Sequence, residues 1–361
     1  MRTSFQICIL SLVALIIGVA APRVNAQCTA DVNHDQQVNA TDLASVLSAW
    51  GTNGSTTGTD INNDGLVNGS DLTFVFSGWG PCPGPTWATV LEWMPDPSVV
   101  ADANLRAAIV SSGFAWKVRD NAANIEMLLV PQGTFTMGCS ASTQYACDSI
   151  EIPTHQVTLS AFYIGRYEVT QAQWTAQMGS NPSWFVSANG YPSDTTKPVE
   201  IVSWNMIAGT GGFMSVTGLR LPTEAEWEYA YRAGTITAFH SYPAEPTGFN
   251  DDTLLGNIAW YLGNNGPSGS STKGTKAVGG KYANALGIHD MAGNVFEWCQ
   301  DWFGPYSSES VTNPTGPTTG SYRSARGGSW ASLYDDCRAS GRYYDPSGTN
   351  STLGFRAARN P

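Results

Sequence analysis

One loop pattern occurs twice near the start of the chain. Residues 31–42 read DVNHDQQVNATD and residues 60–71 read DINNDGLVNGSD, so the two copies begin 29 residues apart. In the first copy Asp31, Asn33, Asp35, Asn39 and Asp42 occupy loop positions one, three, five, nine and twelve; Asp60, Asn62, Asp64, Asn68 and Asp71 do so in the second. Alternate oxygen-bearing side chains on a tight loop supply the hard, flexible ligand set that Ca²⁺ takes. Each loop runs into an apolar segment ending in Trp-Gly. Leu43, Val46, Leu47 and Trp50 recur at helical spacing, as do Leu72, Val75, Phe76 and Trp79. Helices this short do not hold alone in water. The pattern therefore predicts metal-loaded loops whose helices pack their Leu/Val/Trp faces together. Gln36 stands at the sixth position of the first loop, where the second has Gly65. That position makes a sharp turn, so the first site is expected to be the weaker. Asx-turns without metal are the alternative.

The first 26 residues have the form of a signal peptide: Arg2, an apolar core over 7–20, and small residues up to Ala26. No other apolar run is long enough to span a bilayer. A secreted protein with no membrane segment after cleavage is the expectation. Removing Arg2 and Arg23 takes the basic count from 18 to 16 against 29 acidic residues, a charge of about −13. Nucleic acid and anionic membrane surfaces are excluded as partners on that balance.

Cys8 leaves with the signal, so six cysteines remain: Cys28, Cys82, Cys139, Cys147, Cys299 and Cys337. An even number in an exported chain predicts disulfides. Cys28 and Cys82 bracket the repeated loops, and Cys139 with Cys147 would close a short local loop. Six cysteines nonetheless allow about fifteen pairings.

The chain divides into residues 1–26 (signal), 27–82 (loop-helix unit), 83–115 (a linker and entry segment opening on Pro81-Cys82-Pro83-Gly84-Pro85) and 116–361 (large domain). Residues 116–138 read as two strands joined by a polar turn. Within LPTEAEWEYA, Thr223 and Glu226 have the spacing of a capping box, which predicts a helix; a second is expected at 170–178. Elsewhere Gly, Pro and Asn are frequent and strand runs are short. The class expected is α+β with little regular structure.

The duplicated unit resembles the dockerin domain, which implies Ca²⁺ binding and a cohesin-like docking partner. In the large domain seven segments stand in order: MLLVPQGTFTMG (127–138), HQVTLSAFYIGRYEVTQAQW (155–174), KPVEIVSW (197–204), GLRLPTEAEWEYAYRAGT (218–235), NALGIHDMAGNVFEWCQDWF (284–303), SARGGSW (324–330) and LGFRAAR (353–359). Together they resemble the formylglycine-generating enzyme, or sulfatase-modifying factor, family. That implies a variant of the C-type lectin fold. It also implies a structural Ca²⁺ at the positions of Asp290, Gly293, Val295 and Glu297. An ordinary ion pair of Glu297 with Arg326 or Arg356 is the competing reading.

The family's oxidases bind Cu(I) through two cysteines after the Gly-Gly-Ser-aromatic motif, and soft thiolates suit that ion. Here Ser332 stands in place of the first, and Cys337 matches the second. A bridge from Cys337 to Cys299 is the expected fate of that thiol. The resemblance also implies a substrate groove near Ser329, Trp330, Ser332 and Asp336, with Arg342 close by. These readings converge on a secreted, degenerate or non-copper member. It would bind or modify an exported protein or glycan and dock through its small unit, with calcium as its cofactor. Whether turnover occurs is left open. The alternatives are an active formylglycine-generating oxidase with copper, in which Cys337 is catalytic, and a calcium-stiffened, non-catalytic adhesion module.

Overall fold

The computed structural model describes residues 28, 30–33, 35, 37–54, 57–62, 64–82, 84–139, 145–345 and 348–361. The expected signal segment and the position-six Gln36 lie outside the described residues.

In the small unit, helices α1 (Ala40–Ser48) and α2 (Gly69–Ser77) each start from a capping box. Asn39 caps the first and accepts from Thr41 N, while the Asp42 carboxylate accepts from Asn39 N at 2.9 Å. Asn68 and Asp71 repeat the arrangement, with Asp71 accepting from Asn68 N at 2.8 Å. The last loop residue is thus also the third helical residue, which ties the loop to its helix. Short strands β1 (Gln37–Val38) and β2 (Gly80–Pro81) pair antiparallel, and a Cys28–Cys82 disulfide closes the unit. The core is narrower than the periodicity predicts. Val38, Val46, Val67 and Val75 are buried with Leu43 and Leu72 against them, but Leu47, Trp50, Phe76 and Trp79 are half exposed or more. Two nine-residue helices have room for one small residue each at their crossing, so the larger side chains stay on the outside.

Five strands form the largest sheet, in the order β16 (Ala358–Arg359), β8 (Phe162–Gly165), β5 (Glu126–Val130), β4 (Lys117–Asp120), β3 (Ala88–Glu92), and each neighbouring pair is antiparallel. The segment read as a linker over 83–115 is therefore folded in part. It contains β3, paired through Val90 opposite Val118, and helix α3 (Ala103–Ser111), whose Ile109 is fully buried. The stretch read as two strands holds three, because β6 (Gly133–Met137) follows β5 after a tight break at Pro131. A second sheet orders β12 (Val311–Thr312), β7 (His155–Leu159) and β6. The third orders β14 (Arg342–Asp345), β13 (Arg323–Arg326), β11 (Phe296–Trp302) and β15 (Leu353–Gly354). A parallel pair, β9 (Ala259–Trp260) with β10 (Ala292–Gly293), lies just before β11.

Helix α7 (Glu224–Arg232) has the capping box expected of it. Thr223 Oγ1 accepts from Glu226 N at 3.1 Å, and the Glu226 carboxylate accepts from Thr223 N at 2.8 Å. Helix α4 (Gln171–Met178) starts at Thr170 with a similar box to Gln173. Helices α5 (Trp204–Ala208) and α6 (Phe213–Thr217) have five residues each, too few to leave a periodic trace in the sequence. The helices and sheets share one core containing Trp174, Trp227, Trp298, Phe213 and Phe355. Among the described residues no helix is long and apolar enough to cross a membrane.

Candidate functional site

In the first loop, ligand-type oxygens of Asp31, Asp35 and Asp42 lie within 4.8 Å of one another. Asp31 and Asp42 are buried and Asp35 is exposed. Asp42 Oδ1 accepts from Val32 N at 2.9 Å, and Asp31 Oδ1 accepts from Asp35 N at 3.0 Å. The second loop repeats these bonds. Asp71 Oδ1 accepts from Ile61 N at 2.8 Å, Asp60 Oδ1 from Asp64 N at 3.1 Å, and Asp60 Oδ2 from Gly65 N at 2.9 Å, with Gly65 at φ +88°. Asn33 and Asn62 reach the Asp35 and Asp64 carboxylates at 3.1 and 2.8 Å. All the donors are oxygens, and crowded like-charged carboxylates favour a divalent cation between them, so the residues fit Ca²⁺.

At the Asp290–Glu297 turn the expected residues meet two further side chains, Arg356 and Glu168, the first of them the ion-pair partner of the competing reading. Glu297 is held by Arg356 (Nη2 to Oε1, 2.7 Å; Nε to Oε2, 3.0 Å) and by Trp227 Nε1 at 2.7 Å. Asp290 Oδ2 accepts from Gly279 N at 2.5 Å. Gly293, at φ +78°, packs on β9; a Cβ there would come within 2.3 Å of the Trp260 carbonyl oxygen. The amide of Val295 and the side chain of Asn294 both donate to Glu168, at 3.1 and 2.6 Å. Glu168 was not among the residues expected here. Its only local signal is an acid set between Tyr167 and Val169. Burial first, then the charges of Asp290 and Glu297, pushes the Glu168 carboxyl well above its ordinary range. Burial likewise raises Asp290 to about 6. Three buried carboxylates thus face the Arg356 guanidinium and, on the Asp290 side, Lys281, an imbalance of one charge relieved by a proton or by a bound cation.

After β13 the chain turns through Gly327 and Gly328, both at positive φ. Ser329 and Ser332 are buried, and their hydroxyls lie 3.1 Å apart. Ser332 Oγ also accepts from Ser329 N at 3.1 Å. Trp330 is half-buried and donates its indole N–H to Ser351 O at 2.8 Å. Asp336 is exposed.

Cys139 and Cys147 form a disulfide, as Cys28 and Cys82 do, but Cys299 and Cys337 are unbridged. The expected third bridge is thus corrected. Cys299 lies within β11 and directs its thiol to Glu297 O at 3.9 Å. Cys337 lies on a 3₁₀ turn and directs its thiol to Leu333 O at 3.6 Å. Each is wholly buried and behaves as a small apolar residue. Burial is the first cause that raises both thiols, so both stay protonated.

Arg342 does not join Ser329 and Trp330. It pairs with Glu224 at 2.7 and 2.9 Å and lines a separate cavity of about 460 Å³ together with His155, Asp301 and Tyr306. Asp301 Oδ2 accepts from Glu224 N, at the start of α7, at 2.9 Å.

Residues 115–361 match the profile described as Sulfatase-modifying factor enzyme 1-like domain, and residues 29–77 match Dockerin type I domain. The chain belongs to the sulfatase-modifying factor family. It is 31% identical over 303 residues to the formylglycine-generating enzyme of Streptomyces coelicolor, which covers 70% of this chain and 94% of that enzyme. It is 33% identical over 259 residues to the serine/threonine-protein kinase pkn1 of Chlamydia pneumoniae, covering 65% of this chain. The match spans only 38% of that kinase. Among solved structures, Treponema denticola variable protein 1 superposes with a TM-score of 0.54 at 32% identity, covering 66% of this chain and 95% of that one. The fold is thus the α+β, C-type-lectin-like variant of this family, joined to a dockerin unit.

Against the family pattern, the donor set after the Gly-Gly-Ser turn does not fit Cu(I). It offers one protonated, buried sulfur and a serine hydroxyl already bonded to its own turn, where soft paired thiolates are required.

The cavity beside Arg342 makes a pH prediction. Burial, then the neighbouring Glu224 carboxylate, raises Asp301 from 3.8 to about 8. Between those values the native state holds a proton that the unfolded chain has lost. Asp301 therefore contributes stability below its unfolded pKa, and this is lost as pH rises through about 8. Asp301→Asn keeps the acceptor for Glu224 N. It is expected to flatten the decline in unfolding free energy, measured by urea titration, between pH 4 and pH 8, a slope of up to about 1.4 kcal/mol per pH unit. An unchanged slope would show that this carboxyl is ionised in the fold.

Proposed function

We propose that this protein is a secreted, calcium-stabilised binding protein that docks through its small unit and recognises an exported protein or glycan with its large domain. The observation that carries this reading is the state of the Gly327–Arg342 segment. Ser332 replaces a sulfur donor, and Cys337 is buried, protonated and alone. A copper-dependent oxidation of cysteine has no ligand pair there, so the reading separates recognition from the oxidase chemistry of the family.

The small unit supports the docking half. Leu47 near the end of α1 and Trp50 just beyond it, with Phe76 near the end of α2 and Trp79 just beyond it, are 50–60% exposed at equivalent repeat positions. Exposed, repeated aromatic surface suits a protein partner, and a cohesin-like domain is the partner proposed. Calcium at the two loops would hold this surface in shape. Further calcium beside Glu168, Asp290 and Glu297 would balance their charge. The disulfides suit an oxidising compartment.

The test pairs cuprous-ion competition against a chromophoric chelator with turnover of a cysteine-containing sulfatase peptide. Neither tight copper uptake nor peptide oxidation is expected. Stoichiometric copper held by Cys337, with formation of an aldehyde in the peptide, would restore the oxidase reading.

A further inference from the structure

A groove of about 480 Å³ lies beside the Gly-Gly-Ser-Trp turn, walled by the 184–191 loop, the 268–273 loop and Trp330. Its volume is within the roughly 300–1,000 Å³ usual for small-ligand sites. Trp184 leaves 49% of its surface in solvent. Its backbone, however, is fixed on both sides. The N–H groups of Trp184 and Phe185 donate to the two oxygens of buried Glu200, each at 3.0 Å. The Trp184 carbonyl accepts from Asn189 Nδ2 and from Val186 N, each at 2.9 Å. Phe185 props the wall from behind, edge-on to Tyr191 at 4.8 Å and to Trp330 at 5.2 Å. Gly274 permits this, since a Cβ there would lie 2.2 Å from the Phe185 ring.

Burying a carboxylate with no cationic partner in contact is costly. Here its two oxygens fix the backbone of a residue whose indole stays half exposed. A pre-set aromatic platform loses little freedom on binding.

The lining is also hydroxylated. Ser268, Ser270, Ser271 and Ser351 line the groove, and the Ser270 hydroxyl is hydrogen-bonded to that of Thr272 at 2.6 Å. Among the described residues no acid lines the groove, and Lys273 is its single charged residue. Such a lining offers nothing to a basic peptide and one cation to an acidic one. Aromatic side chains and hydroxyl groups lining one groove match a neutral sugar, whose ring presents C–H bonds on one face and hydroxyls at its edge.

We propose that this groove binds a short segment of neutral glycan stacked on Trp184. The proposal rests on the reading of the large domain as a binding domain and names its ligand class.

The test is calorimetric titration of the full calcium-loaded chain with hexasaccharides of β-linked glucose, xylose and mannose, and in a second arm with a neutral Gly/Ser-rich hexapeptide. At least one hexasaccharide should bind. Trp184→Ala, a surface change, should weaken it ten-fold or more, and Tyr191→Ala should weaken it less. Trp79→Ala on the small unit should leave it unchanged. Failure of all three sugars to bind, equal binding by Trp184→Ala, or Trp184-dependent binding of the peptide instead would each overturn the proposal. None of these outcomes touches the copper measurement, so loss of the glycan reading and loss of the binding-protein reading remain distinguishable.

Discussion

Arg326→Met is expected to destabilise the large domain by about 3–5 kcal/mol, the usual effect of removing one partner from a buried ion pair. Arg326 is wholly buried on β13. Its guanidinium binds Glu228 and donates to the carbonyls of Ala339, Ser340 and Gly341 at 2.9, 3.0 and 2.9 Å. Glu228 in turn accepts from Gly138 N at 2.9 Å and from Arg232 at 2.8 Å. One cation therefore joins α7, β13 and the turn before β14, and through Glu228 it reaches the end of β6. Methionine matches its stem but satisfies none of the three carbonyls, each of which then stays buried without a donor. Chemical denaturation followed by tryptophan fluorescence reads the change. A loss below about 1 kcal/mol would mean that water enters and replaces the guanidinium.

Removal of calcium is the second large effect. If the loops bind Ca²⁺ as their oxygen sets fit, saturation at about a thousand times the dissociation constant stabilises the small unit by about 4 kcal/mol. A unit with only two short helices has little else besides its disulfide. Chelation is expected to abolish a separate calorimetric transition of residues 28–82 and leave the large domain folded. Asp71→Ala should do the same in calcium, because Asp71 also anchors Ile61 N, Asn62 N and Asn68 N. A calorimetric trace indifferent to chelator would refute the cation-loop reading.

Features set by neighbouring residues could be read from the sequence. The capping box at Thr223, and the repeated Asp/Asn spacing of both loops, are encoded within a few positions, and each reappears as hydrogen bonds. The family and its fold were legible for a different reason, since seven ordered segments leave few alternatives. What could not be read depends on which distant groups share the interior. Parity of cysteines suggests that Cys299 and Cys337 pair, but parity does not register that both thiols are buried as unbridged core residues. Arg342 stands near the Gly-Gly-Ser turn in sequence, yet β14 carries it to Glu224 on α7. Glu168 lies more than a hundred residues from the turn it holds, and nothing local announces the bond. The outward-facing Trp50 and Trp79 show the opposite case: their spacing is helical, but periodicity alone does not tell a core face from one left open to a partner.

The Cys28–Cys82 bridge has a consequence for proteolysis. The spacer over 52–59 lies between the two loop-helix copies and carries no large apolar side chain. A single cut there, or at any one peptide bond between these cysteines, leaves both fragments covalently joined. A nicked molecule would therefore keep its two halves side by side and run as a single species until it meets a reductant.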